Sequence, residues 1–153
     1  NETCLYPETQ AIKDQLGQWA EGKLAIVLDI HCPWIRGPHN ECLYQVYTED
    51  AANAQAQARF GKLLERIQRG GMRYRQADDL PFGQAWNTGK NYSQGLSFKY
   101  WAIKNIPGIR LGTTYEVPFA SANGAVVTRE TCREIGEDTT AVFKQFLTQP
   151  TAR

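Results

Sequence analysis

Two ionisable side chains stand where α/β proteins do chemistry. His31 directly follows the apolar run Leu24-Ala25-Ile26-Val27-Leu28-Asp29-Ile30, and Glu116 lies inside Gly112-Thr113-Thr114-Tyr115-Glu116-Val117-Pro118. Each falls at the end of a predicted buried strand. In open α/β sheets, ligands and catalytic groups collect in the crevice beyond the carboxyl ends of the strands. A neutral imidazole there can ligate a metal, and a carboxylate can act as a general base. The spacing therefore suggests two strand ends of one sheet facing a shared site. Asp29 shares a strand face with His31, where it would either orient the imidazole or form a structural ion pair. Glu116 sits among apolar and β-branched neighbours, a costly place for a carboxylate that lacks a partner or a task. Arg110 is the candidate partner.

Those strands need elements around them. Pro7 suits the first turn of a helix, after which Ile12, Leu16 and Trp19 form one apolar stripe and Gly22 ends the segment. The near-continuous apolar character of the strand ending at Ile30 implies burial on both faces. His31 to Glu41 is a loop dense in Pro, Gly and polar residues, and Leu43 to Tyr47 reads as a second strand. A helix from about Asp50 to Gln68 presents Phe60, Leu63, Leu64 and Ile67 on one face, with a short strand possible at Met72 to Tyr74. Leu80 to Gly95 shows no periodicity, and loops of that length in compact domains are often functional. A short helix over Ser97 to Asn105 and a strand over Ile109 to Val117 follow. Thr128 is placed to cap a last helix that buries Ile135, Val142, Phe143, Phe146 and Leu147. The order helix, strand, strand, helix, loop, helix, strand, helix predicts an α/β layer fold with a mixed β-sheet flanked by helices.

Bulk properties narrow the classes. A chain of 153 residues fits one domain with one core. Its 17 basic and 16 acidic side chains nearly cancel, so charge gives no case for nucleic acid or an anionic membrane as partner. No apolar run approaches the roughly 20 residues of a membrane span, and the composition reads as that of a soluble globular chain. The start Asn1-Glu2-Thr3-Cys4 carries neither an initiator Met nor a signal peptide, as a processed product or a fragment would. The compartment stays open, with secreted or periplasmic placement favoured over cytoplasmic. Cys4, Cys32, Cys42 and Cys132 have no CxxC spacing. Cys32 and Cys42 bracket the Pro- and Gly-rich loop and could form a short disulfide or remain free thiols. Asn91-Tyr92-Ser93 and Asn1-Glu2-Thr3 fit the glycosylation pattern.

Several of these segments are also familiar in order. Pro7-Glu8-Thr9-Gln10-Ala11-Ile12, Leu28-Asp29-Ile30-His31 and Thr113-Thr114-Tyr115-Glu116-Val117-Pro118 resemble the C-terminal half of zinc carboxypeptidases of the M14 family. There, a Pro-Glu-Thr helix start precedes the strand ending in the third zinc ligand, and a later strand carries the catalytic glutamate. Tyr92-Ser93-Gln94-Gly95-Leu96-Ser97-Phe98-Lys99-Tyr100-Trp101 is similar to the family's mobile loop and following helix, which hold a substrate-binding tyrosine. Order and rough spacing agree across most of the chain.

The resemblance implies a partial domain of the metallocarboxypeptidase (zinc peptidase/phosphorylase-like) fold. In it, His31 is a Zn2+ ligand, Glu116 the general base and acid, and Tyr92 a contact to a peptide substrate. Lys99 falls near the family's specificity determinant, where a cation favours an acidic terminal residue; Arg36 could help to hold a carboxylate. Tyr74, Tyr100 and Tyr115 compete with Tyr92 for its role. The family's remaining zinc ligands come from an upstream His-x-x-Glu motif. This chain has only His31 and His39 and no such motif, so the N-terminal half of the domain would have to supply them, and this polypeptide alone would be inactive. A self-contained site of His31, His39 and Glu41 would require the 33–38 loop to fold back. Two other readings keep the fold: an amidase or deacylase acting on an acylated amino acid or cell-wall peptide, and a degenerate domain that only binds peptides.

Overall fold

The computed structural model describes residues 6–149; Cys4 and the Asn1 glycosylation pattern lie outside them. The main elements, in chain order, are α1 (Pro7–Ala20), β1 (Ile26–His31), β2 (Tyr44–Val46), α2 (Ala51–Ile67), α3 (Phe98–Asn105), β3 (Leu111–Glu116), β4 (Ser121–Ala122), β5 (Ala125–Val126) and α4 (Arg129–Thr148). β3 is the centre of a three-stranded sheet of order β1-β3-β2. β1 runs parallel to β3, from Ile26 opposite Leu111 to His31 opposite Glu116. β2 runs antiparallel on the other side, with Tyr44 opposite Glu116. The protein is thus mixed α/β, with a small mixed sheet flanked by helices. Among the described residues no helix is long and apolar enough to cross a membrane.

Successive strand residues point to opposite faces, so the sheet serves two layers. Leu111 and Tyr115 of β3, with Ile26 and Leu28 of β1, pack against Phe60 and Leu64 of α2 and Val142 and Phe146 of α4. Val27 points the other way, into a smaller cluster with Ala20 of α1, Ala102 of α3 and Ile106 just past its end. Gly112 permits the close approach of α3. A Cβ there would stand 2.6 Å from Cδ1 and 2.7 Å from Cγ1 of Ile103. By the same alternation, Asp29, His31, Thr114 and Glu116 share the face that carries Val27 and Gly112.

Local chemistry sets the element ends: Thr128 caps α4 as expected, and Asp50, expected to begin its helix, is instead the cap of α2. The Asp50 carboxylate accepts the Asn53 N–H at 2.7 Å, and the Thr128 hydroxyl accepts that of Thr131 at 3.2 Å, which caps α2 and α4. β2 is short and covers only Thr114 to Glu116. Beyond it, the Asn53 carboxamide replaces the missing strand: its Nδ2 donates to Gly112 O and its Oδ1 accepts the Gly112 N–H, both at 2.8 Å.

Several expectations need correction. The α1 stripe is not buried as a whole: Trp19 is 75% exposed and Ile12 is exposed, because the helix docks only through Leu16 and Ala20 in its C-terminal half. β1 is not buried on both faces. It lies at the edge of the sheet, where Ile30 is 63% exposed. Leu147 faces solvent, whereas Ile135, Val142 and Phe146 are buried and Phe143 packs against the core. Met72 to Tyr74 contributes a single parallel bridge, Leu43 to Tyr74, rather than a strand. Cys32 and Cys42 are both free, one exposed and one buried, as is the exposed Cys132.

Candidate active site

At the carboxyl ends of β1 and β3 the sheet places His31 and Glu116 as direct neighbours, Cα opposite Cα, on one face. The two residues singled out in the sequence are therefore register neighbours on one face of the sheet. His31 is open to solvent: its imidazole is 54% exposed, and its Nε2 lies 2.9 Å from Oδ1 of Asp29, whose own side chain is 15% exposed. That contact orients the ring; in the neutral imidazole it places the proton on Nε2 and leaves the lone pair on Nδ1. The contact fits both roles open to Asp29, orienting the imidazole and pairing with it as an ion.

Glu116 is in the opposite situation. It is 6% exposed, and among the described residues its Oε2 has no hydrogen-bond partner. Burial raises its pKa above the ordinary carboxylate range; His31 and Lys99 pull it back down, and Asp29 pushes it further up. Arg110 does not pair with it. Its guanidinium donates to Leu147 O at 2.8 Å and Gln149 O at 2.7 Å, closing the C-terminus of α4. The carboxylate thus has the raised basicity and free oxygen that a proton acceptor needs.

α3 supplies Lys99. Its side chain is 1% exposed and its ammonium donates to Val46 O. Burial lowers its pKa to about 7, against the opposing pull of Asp29 and Glu116. The cation therefore lies beneath the site rather than at its surface. Tyr92 ends a short 3₁₀ turn, Gly89–Tyr92, within the irregular 80–95 segment. Its ring centroid is 4.7 Å from that of Tyr100, and its hydroxyl donates to Oδ1 of Asn87 at 2.9 Å. Burial pushes its pKa up to about 12, with Tyr100 and Glu116 adding to the shift. Tyr44 pairs with Glu116 across the sheet, and the Trp86 side chain lies beside its hydroxyl.

Of the competing tyrosines, Tyr74 and Tyr115 are core residues and Tyr100 is the ring that Tyr92 packs on. His39 and Glu41 do not join His31: His39 lies edge-on to Tyr44 at 6.1 Å, and both residues are exposed. Arg36 is an exposed loop residue. Among the described residues no group of three His, Cys, Asp or Glu side chains converges on a common point as metal ligands would. Sequence reasoning missed Asn87, Tyr44 and Trp86. Asn87 is buried in a segment rich in Gly, Asn and Pro, a composition that signals turns rather than burial.

No family model matches the chain, and neither a curated protein nor a solved structure matches it.

Proposed function

We propose that the chain is the C-terminal half of a zinc-dependent, metallocarboxypeptidase-like hydrolase domain that removes C-terminal residues from peptides. One observation carries the reading: an exposed imidazole held by a carboxylate and a buried carboxylate with a free oxygen lie on one face at adjacent parallel strand ends. The donor set suits a metal. A ligating histidine commonly gives its other ring N–H to a carboxylate, as His31 gives Nε2–H to Asp29, which leaves Nδ1 for coordination. One such ligand does not make a zinc site, so the two others would come from outside the described residues, on the missing half of the domain. Zinc bound there supplies Lewis acidity to a scissile carbonyl and to water.

The chain's own residues do the rest. Glu116 takes the proton of the attacking water and returns it to the leaving amine. Its burial makes it a stronger base than an exposed carboxylate, and His31 and Lys99 offset part of that rise. Tyr92 contacts the substrate's terminal carboxylate or its scissile amide. Lys99, buried and bonded to Val46 O, acts on an acidic terminal side chain through its field rather than by contact.

The test uses the complete gene product. Stoichiometric zinc by elemental analysis, with stepwise release of C-terminal residues from peptides, supports the reading. Glu116→Gln should keep the zinc and lower turnover by about 10²-fold or more. Loss of the metal in that variant, or unchanged turnover, overturns the assignment.

A further inference from the structure

We infer that Asn87 is a positioning residue that holds the Tyr92 phenol in place, an inference that rests on Tyr92 being a substrate contact. Asn87 is 0% exposed and is fixed by its backbone as well as its side chain. Its N–H donates to Gln84 O at 2.9 Å, and its carbonyl accepts the Gly83 N–H at 2.8 Å. This closes a tight turn in which Gly83 and Ala85 take φ values of +89° and +46°.

The side chain then bridges two separate segments. Nδ2 donates to Tyr47 O, just past the end of β2, at 2.9 Å and to Leu80 O at 3.2 Å. Both amide hydrogens are spent on carbonyls, so the orientation of the carboxamide is not free: the oxygen must point away from them. It points at Tyr92, whose hydroxyl donates to it at 2.9 Å. On its other side the Tyr92 ring rests on Tyr100. The Tyr100 hydroxyl is itself tied down, since it accepts the Glu49 N–H at 3.1 Å. Tyr92 is thus the half-buried end of a rigid relay that begins at the sheet, although its own segment has no regular ladder.

This arrangement has a chemical consequence. In the free protein the phenol proton is given to a neutral acceptor. A substrate carboxylate is a stronger acceptor than an amide oxygen, so the phenol turns its O–H to it by rotation about the C–O bond, with the proton staying on the phenol and the ring already in place. Asn87 touches no substrate; it sets where Tyr92 waits.

The test is a double-mutant cycle in the complete protein. Asn87→Ala should raise KM about 3–10-fold, the cost of ordering the freed Tyr92 side chain on binding, with kcat changed less than twofold. In a Tyr92→Phe background the same substitution should change KM less than twofold. Full multiplication of the two effects, or a fall in kcat at constant KM, overturns the inference. Should Asn87→Ala fail to fold, Tyr92→Phe decides by amide hydrogen exchange: exchange across residues 88–95 accelerates about 3–10-fold while β3 and α2 are unchanged. Unchanged exchange in that segment overturns the inference. A complete protein without peptidase activity refutes the functional reading, and the exchange measurement still decides on Asn87.

Discussion

Replacing Glu116 by Gln should make the metal-free protein more stable at neutral pH, in a way that disappears in acid. Glu116 is 6% exposed and its Oε2 lacks a partner among the described residues. An unpaired buried carboxylate costs more than the about 1–3 kcal/mol of an unsatisfied neutral polar atom, which glutamine would leave as well. His31 and Lys99 offset part of that and Asp29 adds repulsion, which leaves a gain of about 1 kcal/mol on substitution by a neutral amide. In a chain of 153 residues this is a rise of about 2–4 °C in Tm. The pH dependence follows from the direction of the shift. The pKa is raised on folding, so the folded chain binds the proton more tightly than the unfolded one. The stabilisation is complete below the ordinary glutamate value of about 4.3 and is lost as pH climbs through the raised value. Glutamine does not titrate. The gap in Tm between variant and parent should therefore be near zero at about pH 4 and open toward pH 7. Thermal melts in a chelator at several pH values across that window measure it. A variant that melts below the parent at pH 7, or an offset constant across pH, would show that Glu116 carries no desolvation cost in the folded state.

Three further outcomes are expected. Asp29→Ala should lower zinc affinity in the complete protein about 10–100-fold by freeing the His31 ring; competition with a chromogenic chelator measures it, and unchanged affinity removes Asp29 from that role. Lys99→Met should cost at least about tenfold more in kcat/KM on peptides ending in Asp or Glu than on those ending in Leu. Because the pKa of Lys99 lies at about 7, the parent's preference for acidic termini should itself fade as pH rises through that value. Gly61→Ala should lower stability by about 1–3 kcal/mol, seen as a lower denaturation midpoint. A Cβ there would collide with the Tyr74 hydroxyl and stand 2.8 Å from Gln45 Nε2, and both residues are fully buried.

What could be read in advance was local. Capping by Thr128, the apolar faces of α2 and α4, and the strand character of 26–31 and 111–116 all follow from short-range pattern, and each appears in the fold. The pairing of His31 with Glu116 in register needed only one long-range guess, that two strands run parallel as neighbours. Other features depended on what happened to pack nearby. α1 carries a proper stripe, yet only Leu16 and Ala20 find a surface. The apolar composition of β1 says nothing about its ending up at a sheet edge. Lys99 reads as a helix-surface lysine and is fully buried. One local signal was there to be read: Asn123-Gly124, with φ of +52° and +86°, makes the turn of the β4–β5 hairpin, as this pair commonly does.

The outer edge of β1 has a practical corollary. Among the described strands, its six residues bond to β3 on one side only, and Ile30 stands out into solvent near the end. Unsatisfied main-chain groups beside an apolar side chain are a template on which further strands can add. Preparations of this polypeptide by itself should turn turbid or form larger species as they are concentrated, and a charged replacement such as Ile30→Lys should suppress that without disturbing the interior.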